Sequence, residues 1–336
     1  MMPKVTANSP ELGRHRRRAF AARARWLAFL ISGCALFLLA RRTDSHLILS
    51  TLRSTTVLPW LTAAMLCGVS LSLAAWRWNS MLRISGVHPR YLDSWRFSIV
   101  GHAFSSLLLG AALSDIAKGS LYSRRFGFPA SQILAASALD RLAGTLSTII
   151  YGGLALMLAW MSVRPLASEL QVSWKVWSLL AILGLVLVTI AALGAIRRFW
   201  RQHWDRFFLR FAAATRELLA RPWVAVKALA IGLLMQVCVS GILAACLMSV
   251  HRPSVDWFEM AWTFPAIGVA ASLPVTLSGA GAREGAAVLL WRPFGIAPET
   301  AFSAALLVFG VNILWAGIGL VLMWREGGSM PDQPTD

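Results

Sequence analysis

Arg124-Arg-Phe-Gly-Phe-Pro-Ala-Ser-Gln-Ile-Leu-Ala-Ala-Ser137 is echoed late in the chain by Arg292-Pro-Phe-Gly-Ile-Ala-Pro-Glu-Thr-Ala-Phe-Ser-Ala-Ala305, with a one-residue slip. Each copy follows a short, glycine-interrupted apolar segment that carries an acid and a base. These are Asp115 with Lys118 in the first case and Glu284 with Arg283 in the second. Each copy also leads into a longer apolar run. Working outward from this pair, both halves of the chain read as span, span, re-entrant hairpin, span. Three crossings is an odd number, so the second half is expected to lie inverted relative to the first. That is the plan of many secondary transporters, whose sites sit where broken helices meet near the bilayer midplane.

Composition puts the whole chain in a membrane. Of its 336 residues, 57% are hydrophobic and 14% charged, against roughly 45–50% and about 25% in a soluble domain. Polar material is too scarce to cover a soluble surface, which excludes a disordered chain, collagen and a disulfide scaffold as well. The four Cys (Cys34, Cys67, Cys238, Cys246) lie in apolar runs without metal-knuckle spacing, and the six His are dispersed. No cofactor or metal is expected from such a pattern. The net charge of +17 is confined to a few segments, as the positive-inside rule requires of a plasma-membrane protein. This topology accounts for the Arg content, so nucleic acid is not expected as a partner.

The fold class expected is therefore an all-α polytopic membrane protein with about six full transmembrane helices and two re-entrant hairpins arranged as an inverted repeat. A basic tail over 1–25 stays cytoplasmic. A transmembrane domain over 26–324 follows, with halves at about 26–160 and 174–324 joined by 161–173, and a cytoplasmic tail over 325–336. Arg17-Arg18 before an apolar run resembles a twin-arginine export signal, but no small-residue cleavage site follows and further spans do.

The spans are expected at 26–40, 57–76, 131–160, 174–196, 223–250 and 301–324. The segment 77–96, with Arg77, Arg83, Arg90 and Arg96, reads as a cytoplasmic loop. Phe97–Leu113 reads as a hairpin that enters and leaves on the cytoplasmic side, since basic residues flank it on both sides. Segments 261–277 and 285–296 make the second hairpin, which opens outward. Between 199 and 220, Trp204, Phe207, Phe208, Phe211, Leu218 and Leu219 recur at helical spacing with Arg201, Arg206, Arg210 and Arg216 mostly elsewhere. This helix either lies in the headgroup interface or covers the transporter core.

Particular residues carry a family resemblance. Trp78…Leu82-x-x-x-Gly86, Gly101-His102-Ala103-Phe104, Gly110…Ser114-Asp115-x-x-Lys118, Arg124-x-Phe126-Gly127 and Asp140-Arg141-x-x-Gly144 resemble the first half of the lysylphosphatidylglycerol synthase transmembrane, or flippase-like, family. Leu273-Pro274…Ser278-Gly279-Ala280-Gly281-x-x-Glu284…Phe294-Gly295 resemble its second half. The resemblance implies a bacterial inner-membrane protein that moves a phospholipid between leaflets, an aminoacylated phosphatidylglycerol in the best-known member. The chain ends twelve residues after its last span, so the fused synthase of that member is not expected here, nor enzymatic activity. Three departures stand out. Leu109-Gly110 and Ser114-Asp115 replace the family's Pro-Gly and Gly-Asp, Lys118 replaces an Arg, and Phe309 and Asn312 occupy the region where a second-half Arg would match Arg141.

The residues that carry the chemistry follow from the cost of charge in hydrocarbon. Ionisable groups that persist there face the protein interior and pair. Arg141, with Asp140 beside it, offers a planar fork for a lipid phosphate, or else pins the hairpins together. Glu284 and Arg283 sit at a glycine-rich break where Gly279 and Gly281 permit the turn and backbone N–H groups attract phosphate. The competing reading pairs Glu284 with Arg141 or Lys118. Asp115 and Lys118 make the equivalent argument on the cytoplasmic side, and His102 is either a proton-coupling group or a packed, hydrogen-bonded histidine. A lipid transporter is the function these residues favour. A membrane-embedded transferase and a non-catalytic partner of a lipid-modifying enzyme are the alternatives.

Overall fold

The computed structural model describes residues 50–51, 53–106, 110–162, 204–250, 257–272 and 279–327. The tail 1–25, the expected spans at 26–40 and 174–196, nearly all of the joining segment, and Pro274 lie outside them. Every regular element among the described residues is helical.

Helix α1 (Val57–Ile84) is followed by α2 (Tyr91–Phe104) and α3 (Gly110–Phe126), then by the long α4 (Ala130–Ser162). The second set comprises α5 (Trp204–Ala220), α6 (Pro222–Val250), the single turn α7 (Trp257–Met260), α8 (Thr263–Ser272), α9 (Ala282–Trp291) and α10 (Pro298–Gly327). Four of these, α1, α4, α6 and α10, are long and apolar enough to cross a membrane. Helices of 10 to 17 residues on either side of a break make up the pairs α2–α3 and α8–α9. All four are too short to cross a hydrocarbon core alone, which takes about 20 residues.

α1 and α6 form the central pair and run antiparallel. Where α1 begins and α6 ends, the Thr56 N–H donates to the Ser249 carbonyl at 2.8 Å and Ser249 Oγ donates to the Thr56 carbonyl at 2.7 Å. At the other end, Lys227 Nζ sits 4.2 Å over the Trp76 ring. Small side chains let the two backbones approach: Ala63, Ala64 and Cys67 pack with Ala245 and Cys246, as expected where packing alone holds helices together in lipid. The same device joins α10 to α2, where a methyl added at Gly319 would lie 2.6 Å from the Ile99 carbonyl oxygen.

Two cores lie along α1. Its first half packs with α6, α8, α9 and α10 through Phe264, Ile267, Trp291 and Ala305. Its second half packs with α2, α3, α4 and α5 through Phe97, Tyr122, Ile133, Leu139 and Ala214. The two helical pairs therefore sit toward opposite ends of α1. Their neighbours correspond as well, since α2 lies on α10 while α8 lies on α4, and α3 packs on α4 while α9 packs on α10.

Several boundaries depart from the sequence reading. The expected loop 77–96 is mostly helix, with only 85–90 between α1 and α2. Its Arg side chains suggest a loop, yet α1 runs on because Arg77, Trp78, Met81 and Leu82 are buried by neighbouring helices. Asp115 and Lys118 likewise lie on helix α3, not on a loop beyond the hairpin. α5 packs Phe211, Ala214 and Leu218 against the second core and leaves Phe208, Leu209 and Leu219 exposed. It covers the helical core on one face and presents an apolar edge on the other.

Candidate functional site

Five charged side chains converge where α1, α3 and α4 meet. Arg77 of α1 grips Asp140 of α4 with both arms of its guanidinium, Nε to Oδ1 at 2.7 Å and Nη2 to Oδ2 at 3.2 Å. The pair is largely shielded, at 8% and 16% side-chain exposure. A two-pronged bond of this kind has the geometry a buried ion pair needs to offset desolvation. One residue along α4, Arg141 turns the other way and donates through Nε to Asp115 Oδ2 of α3. Asp115 Oδ1 also lies 3.8 Å from Lys118 Nζ, one turn on. Lys118 is buried, its ammonium 4.1 Å over the Trp78 ring. That contact stabilises the cation away from water.

Glycines make the room for these side chains. A methyl at Gly144 would come within 3.0 Å of Arg77 Nη2, and one at Gly232 within 3.2 Å of Nη1. A methyl at Gly101 would press on the stem of Lys118 at 3.0 Å. Trp78 is itself fixed by donating to Ser137 Oγ at 3.1 Å and by an edge contact with Tyr122. The buried cations are thus held from three sides, and their positions are set by packing.

Arg141 differs from its neighbours. Its side chain is 49% exposed, so it is anchored by Asp115 and still reachable. Formal charges in the group (Arg77, Lys118 and Arg141 against Asp115 and Asp140) leave an excess of one positive charge, which favours an anionic guest. From this point polar groups continue along the contact of α4 with α6. Ser147 donates to the Leu229 carbonyl, Gln236 donates to Thr148, and Tyr151 donates to Ser240 at 3.0 Å. Between Asp140 and Tyr151 this seam extends about 16 Å along the helix axis.

The second acid–base pair is of another kind. Arg283 donates to Glu284 Oε1 through Nη2 at 2.8 Å, and the Gly281 N–H donates to Oε2 at 2.6 Å. Glu284 is 1% exposed. Its carboxylate caps its own helix and takes the N–H that was expected to attract phosphate. Glu284 meets Arg283 and Gly281, not Arg141 or Lys118. Gly279 and Gly281 have φ of 77° and 86°, and a methyl at Gly279 would collide with the Ala271 carbonyl. Only glycine lets the break fold back on α8 there. His102 stands apart from both groups, with Ser106 Oγ at 3.3 Å and the Asn312 backbone as its partners.

The family model for the lysylphosphatidylglycerol synthase TM region matches residues 25–319. The chain belongs to this family. No curated protein matches it. Membership makes it a multi-pass membrane protein linked to lipid modification, and the match concerns the transmembrane region.

Against this lysylphosphatidylglycerol synthase TM region framework, the structure brings together Asp115, Lys118, Asp140 and Arg141. It keeps Arg283 and Glu284 as a separate pair in the other core. Sequence reasoning missed Arg77, because an Arg at the end of an apolar run looks like a boundary residue until Asp140 is placed opposite it. It also missed the seam. There a signal was available: Ser147, Thr148 and Tyr151, and then Gln236 and Ser240, are polar groups at helical spacing within apolar spans. Among the described residues, no three His, Cys, Asp or Glu side chains group as a metal site requires.

Proposed function

We propose that this chain is a lipid transporter that passes the headgroup of an anionic phospholipid, phosphatidylglycerol or its aminoacylated form, between leaflets. The observation that carries this reading is the half-exposed Arg141 at the head of the polar seam, held by Asp115 inside a group of net positive charge. A lipid phosphate entering there takes the Arg141 fork bidentately. Asp115 then keeps Lys118 as its partner, so neither carboxylate nor ammonium is left alone in a poorly solvated place. An aminoacyl ammonium meets the Asp115 carboxylate instead. Beyond Arg141 the hydroxyls and the Gln236 amide provide exchangeable hydrogen bonds for a headgroup, while the acyl chains stay in lipid.

The architecture in this proposal is an inverted repeat of six spans and two re-entrant hairpins in a bacterial inner membrane, with the N-terminus in the cytoplasm. The antiparallel α1–α6 pair and the corresponding neighbours of the two helical pairs support it. Arg283 and Glu284 brace the second hairpin, as the first cluster would brace the first if Arg141 had no guest.

A reconstituted leaflet assay tests the reading with fluorescent phosphatidylglycerol and with lysyl-phosphatidylglycerol. Flipping by the wild type that is lost in Arg141→Ala and retained in Arg141→Lys at a reduced rate supports it. Equal flipping by Arg141→Ala removes the proposed site. No flipping of either lipid would move the chain to the role of partner to a lipid-modifying enzyme.

A further inference from the structure

On an exposed side of α1 lies an open groove of about 800 Å³. Met65, Val69 and Trp76 project into it from α1, Tyr91 closes it from α2, and the Trp315 ring of α10 forms its floor. The floor is flat because α1 has Gly68 beneath the ring, where an added methyl would overlap the indole. The polar atoms in the walls are satisfied within the protein. Trp315 Nε1 donates to the Ala64 carbonyl at 2.9 Å, Tyr91 OH donates to the Ser72 carbonyl at 3.1 Å, and Trp95 Nε1 donates to Ser72 Oγ at 3.0 Å. What remains for a guest is an apolar trough.

Its ends differ. Met65 and Val69, 75% and 49% exposed, lie toward the middle of α1. At the other end Trp76 and Tyr91 stand together, and Lys227 Nζ lies 4.2 Å over the Trp76 ring. The apolar run that starts with α1 at Val57 ends at Trp76, a length of about 30 Å as a helix, which matches the hydrocarbon core. Trp76 and Tyr91 therefore fall at the level of an aromatic belt. From Met65 to Trp76 the groove runs about 16 Å, the depth of one leaflet.

We infer that this groove is a binding site for one anionic phospholipid of the leaflet that meets the C-terminal end of α1. An acyl chain lies over the Trp315 floor, the glycerol region lies against Trp76 and Tyr91, and the phosphate faces Lys227. Length, polarity and charge all agree with that occupant. A neutral helix of a partner offers the cation at one end only the partial charge of a helix terminus, and a zwitterionic lipid gains less than an anionic one. The inference rests on the helices spanning a membrane and is independent of whether the chain moves lipid.

Native mass spectrometry of the full-length protein, delipidated and titrated with phosphatidylglycerol or phosphatidylcholine of equal chain length, tests it. The Arg141→Ala protein, in which the headgroup site proposed above is removed, should retain one phosphatidylglycerol with about fivefold preference over phosphatidylcholine, the scale of one basic residue at an anionic surface. Lys227→Glu should erase the preference. Val69→Trp, which fills the groove from an exposed position, should abolish retention of both lipids in the same background. Equal retention of the two lipids in the Arg141→Ala background, or retention undiminished there by Val69→Trp, overturns the inference. So does a disulfide formed in native membranes between the introduced thiols of a Met65→Cys, Leu30→Cys double variant, because the groove would then be covered by the chain's own first apolar segment. Lipid retention is read at equilibrium, so its loss and a loss of flipping are separate results.

Discussion

Arg77 and Arg141 have the same chemistry and opposite situations. Arg77 is buried against Asp140, Gly144 and Gly232, so its removal leaves an unpaired carboxylate among helices. Arg77→Ala should lower stability by about 3–5 kcal/mol, the usual cost of breaking a buried ion pair, seen as a large fall in the detergent melting temperature. Arg141→Ala should lower the melting temperature less than Arg77→Ala, since Asp115 keeps Lys118 beside it, and on the proposed reading it abolishes flipping. A melting curve and a leaflet assay on both variants therefore separate support from function. Gly144→Ala presses a methyl onto the Arg77 guanidinium and should cost about 1–3 kcal/mol through overpacking, measured in the same melts. Asp140-Arg141-x-x-Gly144 was legible in the sequence as a group of candidates. Why Gly144 belongs in it was not, because the reason is a side chain from a distant helix.

At the scale of elements, α5 is the instructive case. Its sequence allows a surface helix in the headgroups or a cover for the core, and the periodic apolar residues are compatible with both. Packing uses only part of the apolar stripe: Phe211, Ala214 and Leu218 face the protein, while Phe208, Leu209 and Leu219 do not. The exposed edge is suited to the acyl boundary, with Arg216 on the same helix available to headgroups. A spin label at Leu209 should accordingly be more accessible to oxygen than to a water-soluble nickel reagent, and one at Arg216 should show the reverse. The short helices teach a related lesson. Periodicity and length reveal two broken segments, but the limbs of the first extend to Tyr91 and Phe126, well beyond 97–113. Charged residues at 115–125 give that stretch the look of a loop, and they are accommodated in a helix because Asp115 and Lys118 find partners on α3 and α4.

For the molecule as a whole, the antiparallel pairing of α1 with α6 places the two helical pairs toward opposite ends of the bundle. In sealed vesicles of known orientation, cysteines at His88 and Phe128 should react with an impermeant maleimide from one side, and a cysteine at Arg292 from the other. Labelling of all three from the same side would remove the inverted arrangement. Membrane residence and helical class follow from composition and run length, because hydrocarbon leaves the backbone no other way to satisfy its hydrogen bonds. The recurrence of Arg-x-Phe-Gly and the acid–base pairs near it are likewise properties of the sequence alone. Which charges meet is another matter. Asp140 takes Arg77 from 63 positions earlier, Arg141 takes Asp115, and Glu284 turns back on its own helix. Local pattern cannot select among such partners, since every buried cation and carboxylate would gain from pairing with any other. The choice is made by helix crossings and by the glycines that open space at the crossing points, and these exist only in the folded bundle.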